Sequence, residues 1–162
     1  MGFASVAREG QVFRSLSYGC IETPPSETIP VRLNMIYEKL GEQIACCSPD
    51  FMSVEKLFFG RNITTAEYVW QARGVALLLA AKHSLPVLEP KPSQIKLAVC
   101  GYGTAPKEQV QKMVQRILNL DCIPKPDDAA DAIAAAVTGF FLFAEEKRTA
   151  PSGGRHASIS FR

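Results

Sequence analysis

The sequence predicts an α/β protein built on a mixed β-sheet flanked by helices. The chain opens with two apolar, β-prone runs joined by a tight turn, and from residue 29 onward helical periodicities alternate with short apolar runs. The order β, β, α, β, α, β, α, α implies antiparallel pairing in the first half of the sheet and parallel pairing in the second. With 162 residues, 47% hydrophobic residues, 21% charged residues and a mean hydropathy of +0.03, the chain has the size and composition of one globular domain. A disordered tail, a collagen-like fibre and a small disulfide scaffold are excluded.

Each element follows from local pattern. Residues 3–6 and 12–21 read as a hairpin, the second strand carrying Val12, Phe13, Leu16, Tyr18 and Ile21 between polar residues, with Arg8, Glu9 and Gly10 in the turn. Thr23-Pro24-Pro25-Ser26 breaks the pattern, and Ile29, Leu33, Ile36, Tyr37, Leu40 and Ile44 then recur at helical spacing until Pro49-Asp50. Residues 51–59 form an apolar and aromatic run that reads as a buried strand containing Glu55 and closed by Gly60. Residues 62–83 form the longest helix, capped by Asn62 or Thr64 and apolar enough towards Leu79 to suggest a subunit interface. A brief strand over 86–90, a short helix over 92–98, a loop over 102–106 and an amphipathic helix over 107–118 follow. The Ala-rich stretch 132–144 reads as a buried helix, too short to span a bilayer. From Glu145 to the end periodicity is lost, so a mobile tail is expected.

The cysteines, Cys20, Cys46, Cys47, Cys100 and Cys122, form no C-x-x-C pair, and no His stands at ligand spacing. Free thiols in a reducing cytoplasm are the expectation. No N-terminal signal peptide or membrane span is read in the sequence.

Carboxylates carry the first functional signal. Asp127, Asp128 and Asp131 open the last helix, and Asp128 and Asp131, three apart, share one face. N-capping and the helix dipole account for one such acid. Glu55, set in an apolar run, must be compensated if buried. Two explanations stay open: structural ion pairs with Lys or Arg, or a metal site. If Glu55, Asp128 and Asp131 converge, their oxygen-only set suits Mg²⁺ or Mn²⁺ rather than zinc and points to phosphodiester hydrolysis. A two-ion site uses about four carboxylates, one more than these.

Between Lys56 and Lys125 ten Lys and Arg residues stand against four acids, a basic middle suited to a phosphate backbone or simply to solvent. Gly101-Tyr102-Gly103 before a helix is a phosphate cradle or a plain turn. Phe58 and Phe59 either stack on bases or pack in the core. His83 and His156 have no partner for a dyad, and no Ser, His and Asp set stands out.

Val54-Glu55-Lys56-Leu57-Phe58, Gln71-Ala72-Arg73-Gly74, Lys91-Pro92-Ser93-Gln94-Ile95-Lys96, Gly101-Tyr102-Gly103-Thr104-Ala105-Pro106-Lys107 and Pro126-Asp127-Asp128-Ala129-Ala130-Asp131-Ala132 closely resemble, in this order, the RuvC family of Holliday-junction resolvases. The resemblance covers residues 1–144, read as the nuclease domain, and leaves 145–162 as the tail. It implies a ribonuclease H-like fold with a five-stranded mixed sheet, a homodimer, and Mg²⁺-dependent paired nicking of four-way DNA junctions in recombination and repair. Mn²⁺ as a substitute, two ions per site in the complete family protein, and work alongside the RuvA and RuvB branch-migration proteins are implied too. By matching position Glu55, Asp128 and Asp131 are the metal ligands, Lys96 and Lys107 the basic residues near the scissile phosphate, and Phe58 an aromatic that distorts the junction. Lys107 is counted with the catalytic set and Arg61 with the DNA-binding one.

The chain departs from the family at its start. The family begins with a strand ending in a Gly-Ile-Asp-Pro-Gly type segment whose Asp is the remaining metal ligand. Met1-Gly2-Phe3-Ala4-Ser5-Val6 instead resembles the family's second strand. Two expectations follow: either translation starts upstream of Met1, or a ligand and the central strand are lost. For the chain as written this implies impaired metal binding, little nicking and poor solubility from two unpaired strand edges. A catalytically silent junction-binding protein is the alternative function.

Overall fold

The computed structural model describes residues 1–57, 63–148 and 156–161. The opening hairpin is present as β1 (Gly2–Glu9) and β2 (Val12–Cys20), antiparallel, with a bulge between Ser5 and Val6. Gly10, at φ +61°, supplies the left-handed residue of its turn. Helix α1 (Ile29–Cys47) starts on Pro30, buries the stripe Ile36, Leu40 and Ile44, and stops where Ser48 turns left-handed. The rest alternates as β3 (Phe51–Val54), α2 (Ile63–Lys82), β4 (Val87–Leu88), α3 (Pro92–Cys100), α4 (Lys107–Ile117), α5 (Asp127–Arg148) and β5 (His156–Phe161).

The five strands form one sheet in the order β2-β1-β5-β3-β4, with β1 antiparallel to both neighbours and β3 parallel to β4 and β5. The mixed five-stranded sheet flanked by helices is therefore as expected, but its centre is not. The segment read as an aperiodic tail from Glu145 continues α5 to Arg148 and then supplies β5, the middle strand. The two bare strand edges expected from the missing first strand are not seen, because β5 stands between β1 and β3. Backbone pairing on both sides, and burial of Ile159 and Ser160, outweigh the modest strand propensity of a Ser-rich segment.

Strand alternation divides the core in two. Phe51 and Ser53 face α5, with Ala4 and Val6 of β1 beside them, while Met52 and Val54 face α1 and α2 with Ile159 of β5. Helix α5 is buried from Ala129 to Phe140, and small residues let it lie almost on the sheet. A Cβ on Gly139 would stand 2.8 Å from the Phe51 ring and 2.9 Å from Ser53 Cβ. Ser53 Oγ donates to the Ala135 carbonyl at 2.7 Å, and the Phe51 and Phe140 rings meet edge-on at 5.1 Å. At the other end of α5 a Cβ on Gly2 would collide with the Asp128 carbonyl, so β1 carries the start of the helix. No helix among the described residues is long and apolar enough to cross a membrane.

Candidate active site

Three elements bring the sequence-predicted acids to one end of the sheet. Strand β3 ends at Val54, so Glu55 stands just beyond the strand rather than inside it. Its place is held because the Lys56 N–H donates to the Pro90 carbonyl at 2.9 Å, continuing the alignment of β3 with β4 past the ladder. Asp128 sits in the first turn of α5 above Gly2, and Asp131 lies one turn further on. Glu55 and Asp128 line one cavity of about 610 Å³ between the start of α1 and the middle of α2, shared with Arg32, Gln71 and Arg73.

The three carboxylates differ in surroundings. Asp131 is 7% exposed and Glu55 9%, whereas Asp128 is open to solvent and has no hydrogen bond or ion pair among the described residues. Lys107, the first residue of α4, places Nζ 3.5 Å from Asp131 Oδ2 and 3.3 Å from Asp127 Oδ2. Lys125 Nζ reaches Asp127 Oδ1 at 3.1 Å. Among the described residues no three His, Cys, Asp or Glu side chains stand close enough to hold a metal ion. The expected convergence of Glu55, Asp128 and Asp131 is therefore one of neighbourhood, not of ligand distance. Of the three, Asp131 faces a lysine, through the Lys107 ammonium.

Asp127, which is not among the predicted site residues, is the pivot of that lysine cluster. Its carboxyl is held below the ordinary 3.8 by the Lys125 hydrogen bond first and the Lys107 hydrogen bond second. For Lys107 slight burial pulls down, but the Asp131 and Asp127 carboxylates outweigh it and hold the ammonium above 10.5. The depressed Asp127 favours the fold above its unfolded value and loses that effect as pH falls through its lower native value. The raised Lys107 contributes fully below 10.5 and loses its effect as pH climbs through the higher native value. A carboxyl NMR titration should place the Asp127 midpoint below 3.8 and move it upward more in Lys125→Met than in Lys107→Met.

The other predicted residues are placed as follows. Lys96 is half-buried on α3 beside Cys100, where burial raises the thiol and the lysine partly offsets it; no described contact brings Lys96 to the acids. Phe58 and Arg61 lie outside the described residues, as does Phe59. Gly101 is the left-handed cap of α3 at φ +85°, and a Cβ on Gly103 would stand 3.2 Å from the Ser93 carbonyl, so turn geometry accounts for the Gly-Tyr-Gly segment.

Arg73 was missed as a structural residue. It is buried on α2, pairs with the half-exposed Glu89 after β4, and lies 6.0 Å from the Trp70 ring. A buried guanidinium leaves a signal only when its anion is known, and Glu89 is sixteen residues away. Glu89→Gln should cost about 1–3 kcal/mol in thermal melts by stranding that charge, and Arg73→Met in the same chain should recover part of the loss.

Comparison with known proteins gives one answer. The family model "Crossover junction endodeoxyribonuclease RuvC" matches residues 1–139. A protein of that name from Brevibacillus brevis is 47% identical over 138 residues, covering 85% of this chain and 83% of the relative. Another from Heliobacterium modesticaldum is 49% identical over 136 residues, with 84% of each covered. The solved Thermus thermophilus RuvC superposes with a TM-score of 0.82 at 34% identity, covering 90% of this chain and 89% of that one. Thermus thermophilus RuvC in complex with a Holliday junction substrate gives a TM-score of 0.84 at 34% identity, covering 90% and 88%. Motif order, sheet topology and these matches agree, and the chain belongs to the RuvC family of crossover junction endodeoxyribonucleases.

Proposed function

We propose that this protein is a structure-specific endonuclease that resolves four-way DNA junctions by paired, Mg²⁺-assisted hydrolysis of phosphodiester bonds. The observation that carries the reading is a buried carboxylate, Asp131, already facing a cation in the Lys107 ammonium, with Asp128 and Glu55 on the wall of the adjoining cavity. Family membership, and the junction bound by the Thermus relative, support it.

The donor set fits a hard divalent cation, since every candidate ligand is a carboxylate oxygen and the lysine ammonium marks a position where positive charge is stable. Glu55, Asp128 and Asp131 would hold Mg²⁺, or Mn²⁺ in its place. A bound ion supplies an activated water and charge neutralisation for the leaving oxygen. Lys107 and, by matching position, Lys96 hold and neutralise the scissile phosphate. Phe58 and Arg61 grip the distorted junction. On this reading the molecule is a cytoplasmic homodimer, its α2 helices exposing Tyr68, Val69, Trp70 and Leu78 for the partner, and it acts with RuvA and RuvB.

One observation favours a second reading. The three acids here are fewer than the about four used by a two-ion centre, which suits a junction-binding protein with impaired nicking. The test is a labelled four-way junction and a matching linear duplex, each incubated with the protein in Mg²⁺, Mn²⁺ or EDTA. Symmetric nicks in the junction alone, with either metal and not in EDTA, support resolution. Tight junction binding without nicks supports the second reading. Equal binding of junction and duplex contradicts both.

A further inference from the structure

We propose that Asp127 is a positioning residue for DNA contact, its two carboxylate oxygens seating Lys107 and Lys125 as a paired contact for the phosphate backbone. Each oxygen takes a different lysine: Oδ2 lies 3.3 Å from Lys107 Nζ and Oδ1 lies 3.1 Å from Lys125 Nζ. Lys107 opens α4, Asp127 opens α5, and Lys125 stands in the loop that leads into α5, so the carboxylate ties separate segments together at one end of the molecule. Both lysines remain open to solvent on their other sides. A lysine side chain is a flexible stem, and fixing it costs rotamer entropy when an anion binds. An ammonium already held by a carboxylate has lost that freedom beforehand, and with its other N–H donors it can still meet a phosphate.

Lys107 has a second anchor in Asp131 Oδ2 at 3.5 Å. The role of Asp127 rests on the resolvase reading, which takes Lys107 as a phosphate contact and gives the charge of Asp131 to a metal ion. Asp127 is then the anchor that keeps Lys107 in place. The helix dipole accounts for an acid in the first turn of α5, but not for a lysine on each of its oxygens. Solvent screens exposed pairs of this kind, so their effect falls on where the ammonium groups stand rather than on the stability of the fold.

Binding of a four-way junction and of a linear duplex in EDTA, followed across a range of salt concentrations, tests this without metal and without nicking. Charge alone predicts that Asp127→Asn, which removes an acid, tightens binding to DNA. Positioning predicts the opposite: Asp127→Asn binds at least about 3-fold more weakly, its salt slope falls by about 1, and Asp127→Glu restores both. Asparagine is as well suited as aspartate to a helix start, so the fold is kept. Lys125→Met should also lower the salt slope by about 1. With Lys107→Met and Lys125→Met already in the chain, adding Asp127→Asn should weaken binding no further, because Asp127 acts through those lysines. Binding by Asp127→Asn that equals or exceeds that of the unaltered protein overturns the proposal. So does a salt slope unchanged in Lys125→Met, or a weakening by Asp127→Asn that persists without the lysines. Equal binding of junction and duplex, with Asp127→Asn still weaker on both, contradicts the resolvase reading and leaves the Asp127 assignment standing. Absence of DNA binding by the unaltered protein contradicts both.

Discussion

Asp131→Asn is expected to lower Mn²⁺ affinity by at least about 10-fold and to abolish metal-dependent nicking, whereas Asp127→Asn leaves Mn²⁺ affinity within about 3-fold. The two acids lie four residues apart and share one lysine, so a purely structural account predicts similar, small effects for both. Their surroundings separate them. Asp131 is buried at the inner end of the acid group, where an amide keeps the shape and removes a charged oxygen. Asp127 is half-exposed and occupied by Lys125 and Lys107, and solvent screens exposed ion pairs of this kind. Manganese titration followed by calorimetry reads the affinity with no DNA present. Equal weakening in both variants would mean that the lysine cluster, not a cation, is what Asp131 serves.

Gly139→Ala is expected to destabilise the protein by about 1–3 kcal/mol and lower Tm by about 2–4 °C for each of them, against the sign of helix propensity. In the interior of an exposed helix the same change stabilises by about 0.5–1 kcal/mol, because alanine loses less backbone entropy on folding. Here the new methyl would stand 2.8 Å from the Phe51 ring and 2.9 Å from Ser53 Cβ, both on a strand that cannot retreat from its neighbours. Gly139→Val adds two more carbons to the same contact and should prevent folding. The effect reaches the site, because α5 is the element that carries Asp128 and Asp131. A Gly139→Ala variant that melts at or above the unaltered chain would mean that α5 does not approach the sheet this closely.

Most of the architecture is legible in the sequence because its elements obey strong periodicities. The Ile36, Leu40 and Ile44 stripe of α1 and the alternation in β2 need no tertiary information. The end of β3 was placed too late, since an apolar run to Phe59 gives no sign that the ladder stops at Val54. Strand β5 was missed although Ala157, Ile159 and Phe161 do alternate with His156, Ser158 and Ser160. The preceding Pro and Gly residues and the serines mask a signal six residues long, and its stability comes from two neighbours far away in the chain.

The candidate site shows the same division. Acid identity and helix spacing could be read directly, so Asp128 and Asp131 were found as a pair. Differences in burial could not: Asp131 is covered and Asp128 open because the first turn of α5 sits on the edge of β1 while the second turn faces inward. The pairing of Lys107 with Asp127 joins two helix starts about twenty residues apart, and spacing alone cannot supply that contact.

The most direct test of the account is a parallel titration of Mn²⁺ binding and junction nicking in one preparation of the unaltered protein and of Asp131→Asn. The account predicts that binding and paired nicking rise together over the same Mn²⁺ range, that EDTA stops nicking, and that Asp131→Asn loses both. Nicking that persists in EDTA, or that Asp131→Asn carries out as well as the unaltered protein, would contradict it.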